Sequence, residues 1–104
     1  MDFNQIACTI IANAGNGKSD AMAAIEAAKA GKYDEAVGLL LKSESSIMSA
    51  HEVHTCLLVQ EANEEPLPIN FLLVHASNHL AIAQVTKDMA AVFVDVIREV
   101  KENG

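Results

Sequence analysis

The sequence predicts an all-α protein, an antiparallel bundle of three long helices, on the strength of three observations. Apolar residues recur at spacings of three and four, the helical period, over most of the 104 residues. The pattern breaks at Gly31 and in the segment "NEEPLPIN" that begins at Asn63, whose two prolines exclude a helix across it. No stretch shows the alternation of a half-buried strand. By its length the chain is expected to form one domain, 1–104.

Each predicted helix has its own start or stop signal. The first runs from Phe3 to Ala30 and ends at Gly31, a residue type that caps helix C-termini. The second restarts within "KYDEA", which places two carboxylates in its first turn, and continues to Ala62. The third follows the prolines and runs from Ile69 to Lys101.

One segment of the first helix, "NAGNGKSD" at 13–20, needs a separate interpretation. Its "GNGKS" matches the end of a phosphate-binding P-loop, but that motif requires a glycine where Ala12 stands and a strand before it. Both are missing. We therefore interpret Gly15 and Gly17 as positions that weaken or bend the helix, or that let another helix approach its backbone.

Composition and charge exclude several functional classes. The formal charge of −7 argues against nucleic acid and against an anionic membrane surface, because both require clustered Lys and Arg. We find no signal peptide and no uninterrupted apolar run of membrane-spanning length. Cys8 and Cys56 lack metal-type spacing and sit in apolar patterns, so we expect buried free thiols in a reducing compartment. The expected location is the cytoplasm.

The third predicted helix is apolar over half of its circumference or more. One stripe advances in steps of three or four, and Asn78 is its single polar member: Phe71, Val74, Asn78, Ile82, Val85, Met89, Val92, Val96 and Val100. Since one partner helix cannot cover so broad an arc, we expect packing against the other two helices and against further copies of the chain. A lone Asn in an apolar seam commonly fixes register and oligomer number, so Asn78 is assigned to assembly.

Four histidines are the candidates for chemistry. His75 and His79 lie one turn apart on the same flank of the stripe, roughly 60° and 100° from its centre. A neutral imidazole there is suited to act as a nucleophile, held by its neighbour through a hydrogen bond. His51 and His54 form a second pair on the second helix. An alternative is therefore a metal-binding or regulatory bundle in which the two pairs converge on a transition metal.

Three longer segments carry a family resemblance over nearly the whole chain. They are "IIANAGNGKSDAMAAIEAAKAGKYDEA", "SAHEVHTCLLVQEA" and "LLVHASNHLAIA". The chain resembles the enzyme IIA component of the lactose/cellobiose class of the bacterial sugar phosphotransferase system, whose members show a His-x-x-Asp-His-Leu pattern where the third segment lies. The length, the three helices and the loop with two prolines agree with that family.

The resemblance implies a fold, an activity and partners. His75 falls on the phosphorylated histidine of the family, so the chain is expected to be a phosphotransferase component. It would accept a phosphoryl group from the phosphohistidine of the general phosphocarrier protein and pass it to a cysteine of the IIB component. Sugar import then follows through the membrane component IIC. The resemblance also implies a homotrimer, a bundle of nine helices, in which His79 is a possible hydrogen-bond support for His75.

Two residues depart from the family pattern. Asn78 stands where the family has an Asp on the trimer axis that is associated with a divalent cation. Three carboxylates would repel one another, whereas three neutral amides can hydrogen-bond together, so no cofactor or structural cation is expected. His54 stands where relatives commonly carry Gln in an Ala-His-x-x-Gln-Thr pattern, which leaves its role open, whereas His51 matches that pattern.

Overall fold

Three α-helices make up the computed structural model, which describes residues 2–104. They are α1 (Phe3–Lys29), α2 (Tyr33–Ala62) and α3 (Phe71–Asn103), and no strand occurs in the described part of the chain. The short connections make neighbouring helices antiparallel, so α1 and α3 run in the same direction. The bundle measures 57 × 20 × 19 Å. The prediction of an all-α three-helix architecture is confirmed.

Helix α1 is the central element, because it packs closely against both α2 and α3, whereas α2 and α3 contact each other much less. Its buried face repeats at alternating spacings of three and four and consists mainly of small residues: Ala7, Ile10, Ala14, Gly17, Ala21, Ala24 and Ala28. Small side chains bring helix backbones close together, and a strict seven-residue repeat is the period of left-handed helix packing.

Helices α1 and α2 approach each other closely at Gly17. A Cβ atom at this position would stand 2.5 Å from Ile47 Cγ1 and 3.1 Å from the Ser43 carbonyl oxygen, so a side chain does not fit without a shift. The Ser43 hydroxyl, which is buried, donates a hydrogen bond of 2.6 Å to the Gly17 carbonyl oxygen. Of our two interpretations of the glycines, close approach is confirmed for Gly17. Gly15 has open space around it, and α1 continues through both.

Local capping fixes where the helices begin and end. The Asp2 side chain accepts hydrogen bonds from the amides of residues 4 and 5 at the start of α1. Gly31, at φ +79°, closes α1 with hydrogen bonds from the amides of residues 31 and 32 to the carbonyls of residues 28 and 27. Helix α3 begins at Phe71 rather than Ile69, because the Asn70 side chain caps it through the Leu73 amide at 2.8 Å.

Helix α3 has two apolar faces that point in different directions. The face against α1 includes Leu73, Ala76, Leu80, Ala83, Ala90 and Val94. The stripe that the sequence analysis singled out lies on the outside of the single chain, where Phe71 is 90% exposed and Val85 61% exposed. Packing within the single chain thus leaves this stripe exposed. The expectation that further copies of the chain cover it stays a prediction.

The cysteines do not lie where the sequence analysis expected. Cys8 and Cys56 are free thiols, but both are exposed in the single chain, so the expectation of buried thiols was wrong. Each is next in sequence to a core residue, Ala7 and Leu57, and falls outside the spacing of three and four that defines the buried face. Within residues 2–104, no helix has the combination of length and apolar character needed to cross a membrane.

Candidate functional site

The side chains of His75 and His79 are hydrogen-bonded to each other near the start of α3. Their Nε2 atoms are 3.0 Å apart, and the two rings meet edge to face with centroids 4.5 Å apart. His75 is exposed, and His79 is half-buried. A hydrogen bond between two imidazole nitrogens needs one protonated and one unprotonated nitrogen, so this pair presents a lone pair on one Nε2 and a proton on the other.

The helix itself holds this geometry. Residues four apart lie one above the other on a helix surface, so the spacing brings the two rings together once α3 is formed. The Asn70 cap starts α3 one turn before His75. Next to this cap, in the first turns of α3, Phe71, Leu72 and His75 line an open apolar depression. The His75 ring is thus reachable from solvent, beside an apolar surface.

Along the sequence around the pair, no charged residue lies between Glu65 and Lys87. Lys87 is twelve residues beyond His75 on the same helix, which is about 18 Å along the axis. Its ammonium group also pairs with the Asp88 carboxylate at 2.9 Å. The chain therefore supplies no Lys or Arg from α3 to a phosphoryl group on His75.

The second histidine pair connects α2 to α3 on the opposite flank of α3. The Nε2 atom of His54 is 3.0 Å from the Ser77 hydroxyl, and that of His51 is 3.0 Å from Gln84 Oε1. On α3, Ser77 is two residues from both His75 and His79, which places it roughly 160° away from each around the helix axis. The two histidine pairs do not face each other within one chain.

This placement leaves the metal-binding alternative without support. Across residues 2–104, no group of three or more His, Cys, Asp or Glu side chains is arranged to hold a metal ion. His51 and His54 are instead engaged with polar side chains of α3. Sequence reasoning missed these α3 partners, Ser77 and Gln84, because nothing in the pattern of either helix reveals which residues face each other across two helices.

His51 belongs to a longer polar network. Gln84 donates from its amide nitrogen to Asp88 Oδ1 at 3.1 Å, which leaves its Oε1 to accept from the His51 Nε2–H. The hydrogen bond from Lys87, and after it the one from Gln84, holds the pKa of the Asp88 carboxyl below its ordinary value. The network ties α2 to α3 at mid-height of the bundle and lies apart from His75.

Comparison with known proteins identifies the family of the chain. Residues 5–98 match the family described as "PTS system, Lactose/Cellobiose specific IIA subunit". The chain belongs to this family. The lichenan-specific phosphotransferase enzyme IIA component of Bacillus subtilis is 39% identical over 97% of this chain and 92% of its own length. The cellobiose-specific EIIA component of Lactococcus lactis is 38% identical over 86% of this chain and 77% of its own.

Solved structures of IIA proteins agree with the fold. The cellobiose-specific enzyme IIA of Bacillus anthracis superposes with a TM-score of 0.94 at 38% identity and covers 100% of this chain and 96% of its own. The IIA(chitobiose) protein solved in complex with HPr from Escherichia coli gives a TM-score of 0.85 at 26% identity, over 97% of this chain and 98% of its own. The chain is thus a IIA component, a phosphocarrier of the sugar phosphotransferase system.

Proposed function

We propose that His75 is the residue on which this IIA component carries its phosphoryl group. The observation that carries the proposal is the exposed His75 ring, bonded through Nε2 to His79 and bordered by an apolar surface. The donor is the phosphohistidine of HPr, and the acceptor is a cysteine of the IIB component, which serves the membrane component IIC in sugar import. The solved complex of IIA(chitobiose) with HPr supports this choice of donor.

The proposed transfer balances without a net proton movement. His79 donates its Nε2–H to His75, whose Nε2 therefore carries a lone pair, while the His75 proton resides on Nδ1. The N–P bond of the donor breaks with its electron pair left on the donor ring, and a new N–P bond forms on His75. Such transfers pass through a loose transition state, so positioning and charge stabilisation supply most of the catalysis.

Helix α3 offers only neutral side chains for charge stabilisation near His75. His79 keeps an N–H that can turn from the His75 nitrogen to a phosphoryl oxygen, and no Lys or Arg of α3 lies within reach. The remaining charge is offset by the bound partner protein and by backbone N–H groups. His79 is therefore a positioning residue in this proposal. The relay takes place in the cytoplasm.

We further propose that three copies of the chain assemble through the outer apolar stripe of α3, giving nine helices. The support is the exposure of that stripe in the single chain and the likeness to IIA proteins. Asn78 is exposed and is the third of the nine stripe residues. In the proposed trimer it meets the Asn78 side chains of the other two copies. Because amides both donate and accept hydrogen bonds, three Asn78 side chains satisfy one another without a cation.

Mass spectrometry tests the site directly. The chain is incubated with phosphoenolpyruvate, enzyme I and HPr, and then measured intact and as peptides. We expect one acid-labile phosphoryl group per chain, on the peptide that contains His75, and none in His75→Ala. His51→Ala and His54→Ala, which each lose a histidine of α2, are the matched controls and should still take up one group. A phosphoryl group on another residue, or none on a folded wild-type chain, would overturn the proposal.

A further inference from the structure

A polar groove between α1 and α2 has no role in the fold or in the proposed relay. We call it the α1–α2 groove and define it by its lining residues, Asn16, Ser19 and Asp20 of α1 and Lys42 and Ser46 of α2. It has a volume of about 330 Å³ and is open to solvent. Since neither a histidine nor any residue of α3 lines it, the groove is separate from both histidine pairs and from the outer stripe of α3.

The five polar side chains of the groove do not satisfy one another. Within residues 2–104, none of them takes part in a side-chain hydrogen bond or an ion pair, although Asp20 and Lys42 carry opposite charges. Asp20 and Ser46 are half-buried, so the packing of the two helices restricts them. Donors and acceptors that converge without bonding to each other are available to a polar ligand.

The sequence of α1 departs from helical preference at this groove. Six of the eight residues in "NAGNGKSD" at 13–20 are Asn, Gly, Ser or Asp, which are poor helix formers, yet α1 runs through them without a break. Close packing against α2 accounts for Gly17. No bond within the bundle accounts for Asn16, Ser19 and Asp20 in the middle of a long helix. Residues that break a local rule without a structural gain are typical of functional positions, so these three indicate a function for the groove.

The lining determines the class of ligand. It contains no large apolar side chain, whereas the centre of a protein–protein interface is apolar and aromatic, so the groove does not suit a protein partner. One carboxylate and one ammonium group cancel in charge, which favours a neutral ligand over a phosphorylated one. The carboxylate, the amide, the ammonium group and the two hydroxyls together both accept hydrogen bonds from hydroxyl groups and donate to them. A neutral molecule with several hydroxyl groups matches this set.

We propose that the α1–α2 groove binds a neutral saccharide of one or two rings. Its volume lies at the lower end of the range of ligand pockets, which fits a ligand of this size. Asp20 and Asn16 accept hydrogen bonds from adjacent sugar hydroxyls, and Lys42 donates to a sugar oxygen. The affinity is in the millimolar range, because an open groove without an aromatic ring buries little of the ligand. The proposal does not depend on the proposed function, since the groove contains no residue of the relay.

Nuclear magnetic resonance of the nitrogen-15-labelled full chain tests the groove. Cellobiose, a neutral disaccharide, is added up to about 50 mM, which covers the millimolar range, and the backbone amide shifts are followed. We expect saturable shifts at residues 16–20 and 42–46. The absence of saturable shifts there, or shifts centred on residues 71–79 instead, overturns the proposal. Tighter binding of glucose 6-phosphate than of glucose in the same titration also overturns it, because the groove is assigned to a neutral ligand.

A double variant identifies the residues that bind. Asn16→Ala/Asp20→Ala removes two acceptors of the groove and introduces the best helix former, so it should fold at least as well as the wild type. It should bind cellobiose about tenfold more weakly or worse, the loss expected from two hydrogen bonds. The matched control, Ser45→Ala/Glu52→Ala, removes a hydroxyl and a carboxylate from exposed positions of α2 outside the groove and should keep the wild-type affinity. Equal affinity in the wild type and the groove variant, with unchanged circular dichroism, overturns the proposal.

Phosphorylation of His75, measured on the same samples, separates this proposal from the proposed function. A wild-type chain that binds cellobiose in the groove but takes up no phosphoryl group supports the groove and overturns the proposed function. A chain that is phosphorylated on His75 but shows no saturable shifts overturns the groove and leaves the proposed function intact.

Discussion

At the scale of single residues, one proton shared by two imidazole rings governs the candidate site. The 3.0 Å contact between the Nε2 atoms of His75 and His79 places a single proton between them. With His79 as the donor, as proposed, His75 offers its lone pair. The apolar neighbours Phe71 and Leu72 contribute no competing donor from their side chains. A side chain that replaces His79 can therefore change reactivity without changing the fold.

We predict that His79→Leu slows phosphoryl transfer to His75 about five- to tenfold, since a hydrogen bond contributes on the order of 1 kcal/mol and this one holds the reactive ring. His79→Gln keeps an N–H donor one turn away and should recover much of the rate. The measurement is the rate of phosphorylation by HPr under single-turnover conditions. Equal rates in the Leu and Gln variants, with unchanged circular dichroism, would show that His79 does not position His75.

The sequence alone predicted that His75 and His79 are neighbours, but it did not predict which residues His51 and His54 contact. A spacing of four on one helix already determines that two side chains are neighbours, and no tertiary contact is needed. The partners of His51 and His54 lie on another helix, and their identity depends on the relative height of α2 and α3. That height is set by the packing of both helices on α1 and by the length of the 63–70 loop, neither of which the periodicity of α2 reveals.

At the scale of elements, the small residues of α1 set how closely the helices pack. Gly17 lies at a close approach of α1 and α2, where a Cβ would meet Ile47 and the Ser43 carbonyl, while Gly15 two residues earlier has open space. The sequence predicted the helices and their breaks because periodicity, Gly31 and the prolines are local signals. It did not distinguish the two glycines, because their difference lies in what α2 places opposite them.

We predict that Gly17→Ala lowers the free energy of unfolding by about 1–2 kcal/mol, since the steric cost of overpacking exceeds the gain in helix propensity. Gly15→Ala, on the same helix, should raise the free energy of unfolding by about 0.5–1 kcal/mol, because there the propensity gain acts alone. Urea unfolding of both variants at one protein concentration measures the difference. Two stabilised variants would mean that α1 and α2 separate easily at Gly17.

At the scale of the whole molecule, α3 joins two functions in one helix. Its inner face completes the bundle, its flank carries His75, and its outer stripe is apolar except for Asn78. The sequence indicated the outer stripe and the need for further copies. It did not distinguish that stripe from the inner face that contains Leu73 and Leu80, because both lie within one broad apolar arc. Only the position of α1 decides which part of the arc is buried within the chain.

We predict that chelation of divalent cations leaves the assembly and its melting temperature unchanged, because in the proposed trimer three neutral Asn78 amides need no counter-charge. Asn78→Asp places three carboxylates together, and their repulsion raises the carboxyl pKa in the assembled state. A group with a raised pKa stabilises the assembly at low pH and loses that contribution as the pH rises through its folded-state pKa. The variant assembly should therefore weaken towards neutral pH and recover with added Mg²⁺ or Ca²⁺. Light scattering and thermal unfolding, with and without EDTA, follow both chains, and a wild-type assembly that dissociates in EDTA would contradict the role given to Asn78.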